Sequence, residues 1–214
     1  MAAKAAALAL VLLLCTIVLA SLESSDRVGP GVLRGLGSSW VTGLMLLITR
    51  LGSTVVVATL ALGWAWIKRR SGTMVAAVPG LAAAGGGLLS LVVKEMVHRP
   101  RPEVVEALVK VDSFSFPSGH ALLAMAFYGA VALLLAPSVR TRCGRMAIYG
   151  LTGAVLLLIG VSRLHLGVHY LSDVVGGYAL GAAWLSALWL ALPGGRGSRD
   201  GEEPVSCSGT GGLP

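Results

Sequence analysis

Three stretches of the chain, residues 71–93, 121–139 and 146–162, contain no Asp, Glu, Lys or Arg. A helix rises about 1.5 Å per residue and a bilayer core is about 30 Å thick, so apolar runs of about 18 residues or more are long enough to span. The composition points the same way. Of 214 residues, 55% are hydrophobic and 13% charged, whereas soluble domains carry roughly a quarter charged residues. Mean hydropathy is +0.81. In lipid the backbone must satisfy its own hydrogen bonds, which helices do within one segment. The sequence therefore predicts an all-α integral membrane protein.

The formal charge of +7 could suggest nucleic acid, but its distribution argues otherwise. Basic residues cluster between apolar runs, at Lys68, Arg69 and Arg70 and again at Arg140, Arg142 and Arg145. That is the loop bias of the cytoplasmic side of membrane proteins, and no nucleic-acid partner is expected. Cys15, Cys143 and Cys207 are odd in number and lack metal-ligand spacing. They are given no role.

Six spans are expected, at about 5–21, 53–67, 74–93, 118–136, 146–161 and 172–192. An interfacial helix is expected at about 40–51, too short to cross alone. The first segment follows Lys4 and has the character of a signal-peptide core. It is expected to stay as an uncleaved span, because the remaining topology then works with the N-terminus inside. The membrane domain is drawn at 1–193, and 194–214, rich in Gly and Ser, is expected to be a disordered cytoplasmic tail. Gly85, Gly86 and Gly87 sit mid-span and are read as helix-packing positions.

If the spans alternate in direction, the end of the third, the start of the fourth, the end of the fifth and the start of the sixth share one membrane face. Those places hold Lys94; Ser118, Gly119 and His120; Arg163; and His169 with Asp173. The basic clusters take the opposite face, which puts the polar cluster on the extracytoplasmic side and both termini in the cytoplasm. Ionisable residues gathered at span ends are a functional hypothesis in themselves.

Their chemistry fits a phosphate. Lys94, Arg101 and Arg163 surround an anion, with Arg forks suited to bidentate contact with phosphate oxygens. Ser118 and the N–H groups of Ser118 and Gly119 add an anion site if they open a helix, and Gly119 admits close backbone approach. His169 has Asp173 four residues on. A carboxylate there can hold one ring N–H and leave the other nitrogen as a nucleophile, with His120 as general acid. A metal ion among three fixed cations is electrostatically unfavourable, so no metal and no cofactor is expected.

The patterns Lys94-x6-Arg101-Pro102, Pro117-Ser118-Gly119-His120 and Ser162-Arg163-x5-His169-x3-Asp173 resemble, in order, the three signature motifs of the type 2 phosphatidic acid phosphatase superfamily. The resemblance implies a six-transmembrane-helix bundle and a metal-independent phosphohistidine mechanism. It implies His169 as nucleophile, Asp173 as its partner and His120 as acid, with Lys94, Arg101, Ser118, Gly119 and Arg163 binding phosphate. The expected substrate is a lipid phosphate or pyrophosphate in the bilayer. Undecaprenyl diphosphate, phosphatidylglycerophosphate, phosphatidate and diacylglycerol pyrophosphate all stay open, as does the oligomeric state. Binding alone needs the cations but not both histidines, so a non-catalytic lipid-phosphate binder or transporter is the second class. Outside the motif positions, Arg99 is a candidate phosphate or headgroup contact and His98 and His165 are read as solvated loop residues; Ser162, within the third motif, is read as support.

Overall fold

The computed structural model describes residues 26, 38–102 and 112–192, and all regular structure among them is helical. Helix α1 is Ser39–Arg50, α2 Thr54–Lys68, α3 Thr73–Val97, α4 Gly119–Leu135, α5 Arg142–His165 and α6 Leu171–Ala191. A single 3-10 turn, Ala136–Ser138, extends α4. The expected first span and the expected tail lie outside the described residues.

Among the described residues, four helices are long and apolar enough to cross a membrane: α3, α4 with its 3-10 turn, α5 and α6. Helices α1 and α2 meet at a 48° bend and together make a fifth candidate. Alone, α2 has 15 residues, about 22 Å of rise, and reaches spanning length only with α1. Large apolar side chains stand outward along these helices, among them Leu81, Leu88, Leu91, Leu151 and Leu157. On a protein in water this would be an aggregation surface; in a bilayer it is the lipid-facing surface.

Helix α4 is the centre of the bundle. Ala121, Leu122, Ala124, Ala126 and Ala130 are fully buried, against α3 on one side and α6 on the other. Small residues set the spacing, as in membrane bundles generally. A Cβ on Gly177 would lie 2.7 Å from the Ser118 carbonyl oxygen, and one on Gly181 would lie 2.8 Å from that of Leu122. The mid-span glycines serve packing: Gly85 lies under the Trp184 ring and Gly86 against Leu122 and Ala126. Trp184 then donates from Nε1 to the Ala82 carbonyl at 2.9 Å.

Two helix terminations aim the polar residues at one end of the bundle. Helix α3 ends on His98 in the left-handed region, and the Arg99-Pro100-Arg101-Pro102 sequence that follows cannot continue it. Helix α5 ends at Gly167, whose φ of +71° is a conformation glycine adopts without penalty. That turn reverses the chain in time to set His169 directly before α6.

Candidate active site

The end of α3, the start of α4, the end of α5 and the start of α6 meet, and every candidate site residue lies at this junction. Asp173 is the third residue of α6, where it accepts from the Tyr170 amide through Oδ2 at 2.9 Å. Its backbone carbonyl accepts from the Ser118 amide at 3.0 Å, so the starts of α4 and α6 are joined main chain to main chain. The side chain is fully buried and keeps both oxygens engaged. Oδ2 also receives the Ser115 hydroxyl and lies 3.3 Å from His169 Nδ1. Oδ1 accepts from Arg99 Nη1 at 2.8 Å.

A carboxylate at Nδ1 fixes the His169 tautomer: Nδ1–H donates and Nε2 keeps its lone pair. Nε2 faces Arg101 Nη1 at 3.5 Å. His169 is 2% exposed. Burial, assisted by Arg163 and Arg101 and opposed by Asp173, lowers its pKa to about 4. The imidazole is therefore neutral at physiological pH, the state a nucleophile needs.

Arg101 is anchored through three donors. Nη1 reaches the Val168 carbonyl at 2.6 Å, Nε the Ser113 carbonyl at 2.7 Å, and Nη2 the Ser113 hydroxyl at 3.1 Å. Lys94 Nζ shares the Ser113 hydroxyl at 3.3 Å and donates to the Phe114 carbonyl. Both cations are thus pinned by the segment leading into α4. Arg163, at 4% exposure, donates from Nη1 to Thr49 Oγ1 at 2.8 Å.

Two buried polar atoms in this cluster have no hydrogen-bond partner among the described residues: Ser118 Oγ and Arg163 Nε. Ser118 is the N-cap of α4 by position, yet its hydroxyl makes no cap bond. Buried groups of this kind are nearly always satisfied. Both belong to the helix-end junction that also holds Lys94, Arg101 and His169. His120, half-buried in the first turn of α4, makes no hydrogen bond to the described residues. It lies within electrostatic reach of Arg163, His169, Lys94 and Arg101. Gly52, in the bend between α1 and α2, packs on its backbone, since a Cβ there would stand 3.1 Å from the His120 carbonyl oxygen. Gly119 packs toward α3, its absent Cβ 3.3 Å from Ser90 Oγ.

Some residues sit differently from expectation. His165 is not solvated: it is 4% exposed and lies 3.2 Å from Thr42 Oγ1, because α1 covers the end of α5. Arg99 engages two carboxylates, Asp173 and Asp26. Ser162 supports locally, donating to the Ile159 carbonyl at 2.6 Å. His98 is exposed, as expected. Ser115, Thr49 and Asp26 were missed. Ser115 had a weak signal, a hydroxyl between two Phe residues before the Pro-Ser-Gly-His turn; Thr49 and Asp26 had none.

A multi-pass helical bundle with buried His-Asp and cation clusters at one end defines a class of membrane protein. The sequence matches the PAP2 superfamily over residues 75–195, more than half of the chain, and the protein belongs to that superfamily. It is 40% identical over 95 residues to phosphatidylglycerophosphatase B of Bacillus subtilis, covering 44% of this chain and 46% of that one. It is 37% identical over 124 residues to decaprenylphosphoryl-5-phosphoribose phosphatase of Mycobacterium tuberculosis, covering 56% and 62%. The chain spans about half the length of the curated relatives it matches. A crystal structure of a transmembrane PAP2-type phosphatidylglycerolphosphate phosphatase from Bacillus subtilis superposes with a TM-score of 0.70 at 27% identity, over 83% of this chain and 92% of that one.

Proposed function

We propose that the protein is a membrane phosphatase that removes the terminal phosphate of a lipid phosphate or pyrophosphate through a phosphohistidine on His169. The observation that carries this reading is the pairing of a neutral, Asp173-held His169 with two orphaned donors, Ser118 Oγ and Arg163 Nε. The phosphate occupies the space they border, held by Lys94, Arg101, Arg163 and the N–H groups that open α4. His169 Nε2 attacks phosphorus; the P–N bond forms as the P–O bond to the lipid breaks. His120 gives its proton to the leaving oxygen, the incoming phosphate charge having favoured its imidazolium form. Neutral His120 then takes a proton from water, whose oxygen displaces His169 and releases inorganic phosphate. Charge redistributed over the equatorial oxygens is met by fixed cations, and no metal is needed in any step.

The junction faces the extracytoplasmic side, because the basic segments at 68–70 and 140–145 join the helices at their other ends. The domain is drawn at 1–193, with both termini cytoplasmic. The lipid tail lies in the apolar groove of about 450 Å³ between α2 and α3. Its lining includes Leu123, one turn along α4 from His120.

Phosphate release from purified full-length protein is the test, against phosphatidate, phosphatidylglycerophosphate, diacylglycerol pyrophosphate and undecaprenyl diphosphate, with and without chelator. The reading expects release that chelator leaves intact and that both His169→Ala and His120→Ala abolish. Release lost on chelation contradicts the metal-free chemistry, and tight lipid binding without turnover marks a binder. A reporter fused after Gly194 should appear cytoplasmic and one within 103–116 external.

A further inference from the structure

Asp26 is a carboxylate at 3% exposure beside the first turn of α6, and the phosphate chemistry above does not use it. Its Oδ1 accepts from the Ser172 amide at 3.1 Å. Its Oδ2 accepts from the Ser172 hydroxyl at 2.5 Å and from Arg99 Nη2 at 2.7 Å. The other terminal nitrogen, Arg99 Nη1, donates to Asp173 Oδ1 at 2.8 Å and to Ser172 Oγ at 2.6 Å. One planar guanidinium is thus clamped between two carboxylates, and its face lies over the Tyr170 ring at 4.4 Å. Of the two carboxylates, only Asp173 touches His169.

We propose that Asp26 is a positioning residue for the His169–Asp173 pair, acting through Arg99. The proposal rests on the reading of His169 as nucleophile. The Tyr170 amide and the Ser115 hydroxyl hold Asp173 Oδ2, and Arg99 commits the other oxygen, completing the orientation in which Asp173 meets the His169 N–H. Arg99 lies two residues from Arg101, so without a tether its guanidinium is free to leave Asp173 for the incoming phosphate. Asp26 supplies that tether, and its charge balances the guanidinium, so that Asp173 keeps its strength as an acceptor. The helix dipole at the start of α6 favours an anion where Asp26 sits, and a buried cation flanked by two hydrogen-bonded anions is properly compensated. Asp26 lies outside the segment that matches the superfamily, so this support is added to the shared site from elsewhere in the chain.

The test is steady-state phosphate release from short-chain phosphatidate by full-length protein in detergent. Asp26→Asn is expected to lower kcat about 10-fold while KM stays within about twofold, since displacing a nucleophile costs turnover rather than binding. In an Arg99→Ala background the same substitution should cost nothing more, because its effect passes through Arg99. Wild-type kcat, a change confined to KM, or a full additional loss in the Arg99→Ala background overturns the proposal. Should Asp26→Asn fail to fold, Ser172→Ala keeps every charge and removes only the hydroxyl bridging Asp26 and Arg99. It should lower kcat about threefold at unchanged KM, and wild-type kcat there is equally fatal. His169→Ala in the same assay separates the two readings. Activity surviving in it overturns the nucleophile itself, whereas an inactive His169→Ala beside a fully active Asp26→Asn overturns the role of Asp26 alone.

Discussion

The main-chain amide of Ser118 donates to the main-chain carbonyl of Asp173 at 3.0 Å. This bond ties the helix that carries His120 to the helix that His169 directly precedes, without using the side chain of either histidine. The spacing between His120 and His169 is therefore a property of backbone packing, and the close approach of α6 glycines to α4 helps set it.

Gly177→Ala tests that spacing. Its Cβ would stand 2.7 Å from the Ser118 carbonyl oxygen, a backbone atom that cannot swing away. Overpacking of this kind costs about 1–3 kcal/mol. The variant is expected to melt at lower temperature and to lose turnover by more than its loss of folded protein. Gly63→Ala, whose Cβ meets nothing within 4 Å, is the matched control and should behave as wild type in both measurements.

Asp173→Asn keeps the shape of the side chain but removes the charge that holds the His169 N–H and pairs with Arg99. A wrong or mobile tautomer follows, and losses on the order of 10⁴ in kcat accompany the equivalent change in other carboxylate-held histidines. The prediction is a fall in kcat of at least about 100-fold with KM little changed, measured by phosphate release. A rise in KM at wild-type kcat would assign Asp173 to binding instead.

Thr49→Val removes the acceptor of Arg163 Nη1 and leaves the guanidinium in place. Arg163 then loses the bond that fixes its fork. KM for the lipid phosphate should rise several-fold, with a smaller fall in kcat, whereas Arg163→Ala should cost both severely. Equal kinetics for Thr49→Val and wild type would mean that packing alone orients Arg163.

Acidification gives a test with a definite sign. His169 is held neutral down to about 4, while in the unfolded chain it titrates near its ordinary value of about 6.5. Above that value both states are neutral and pH has no effect through this group. Between 6.5 and 4 the unfolded chain binds a proton that the native protein refuses, so stability falls as pH falls. His169→Asn lacks this penalty. The melting temperature of the wild type should drop more than that of the variant between pH 7 and pH 4, and parallel curves would contradict a buried neutral His169.

How much of this was legible in the sequence follows from which interactions are local. The charge-free runs are local and mark the helices that became α3, α4 and α5. The His169–Asp173 pair spans four residues, and the other motif residues sit at helix ends that alternation alone brings to one face. The supports were hidden. Arg99 meets Asp26 across 73 residues, and Arg163 meets Thr49 across 114, with nothing in either local sequence to announce the pairing. The same reason explains His165, which is polar enough to read as solvated until α1 is known to lie over it. Residues 40–51 read as a short helix, and α1 is one; hydropathy does not show that it meets α2 at a 48° bend.

The central claim is that phosphate passes through His169, and trapping the intermediate tests it most directly. Full-length protein is mixed with phosphatidate labelled in its phosphate, quenched in alkaline denaturant within the first turnover, and the protein-bound label is mapped. The account predicts label on His169, stable in base and lost in acid, present in wild type and absent from His169→Ala. Wild-type turnover with no label on the protein, or label on any other residue, would contradict it.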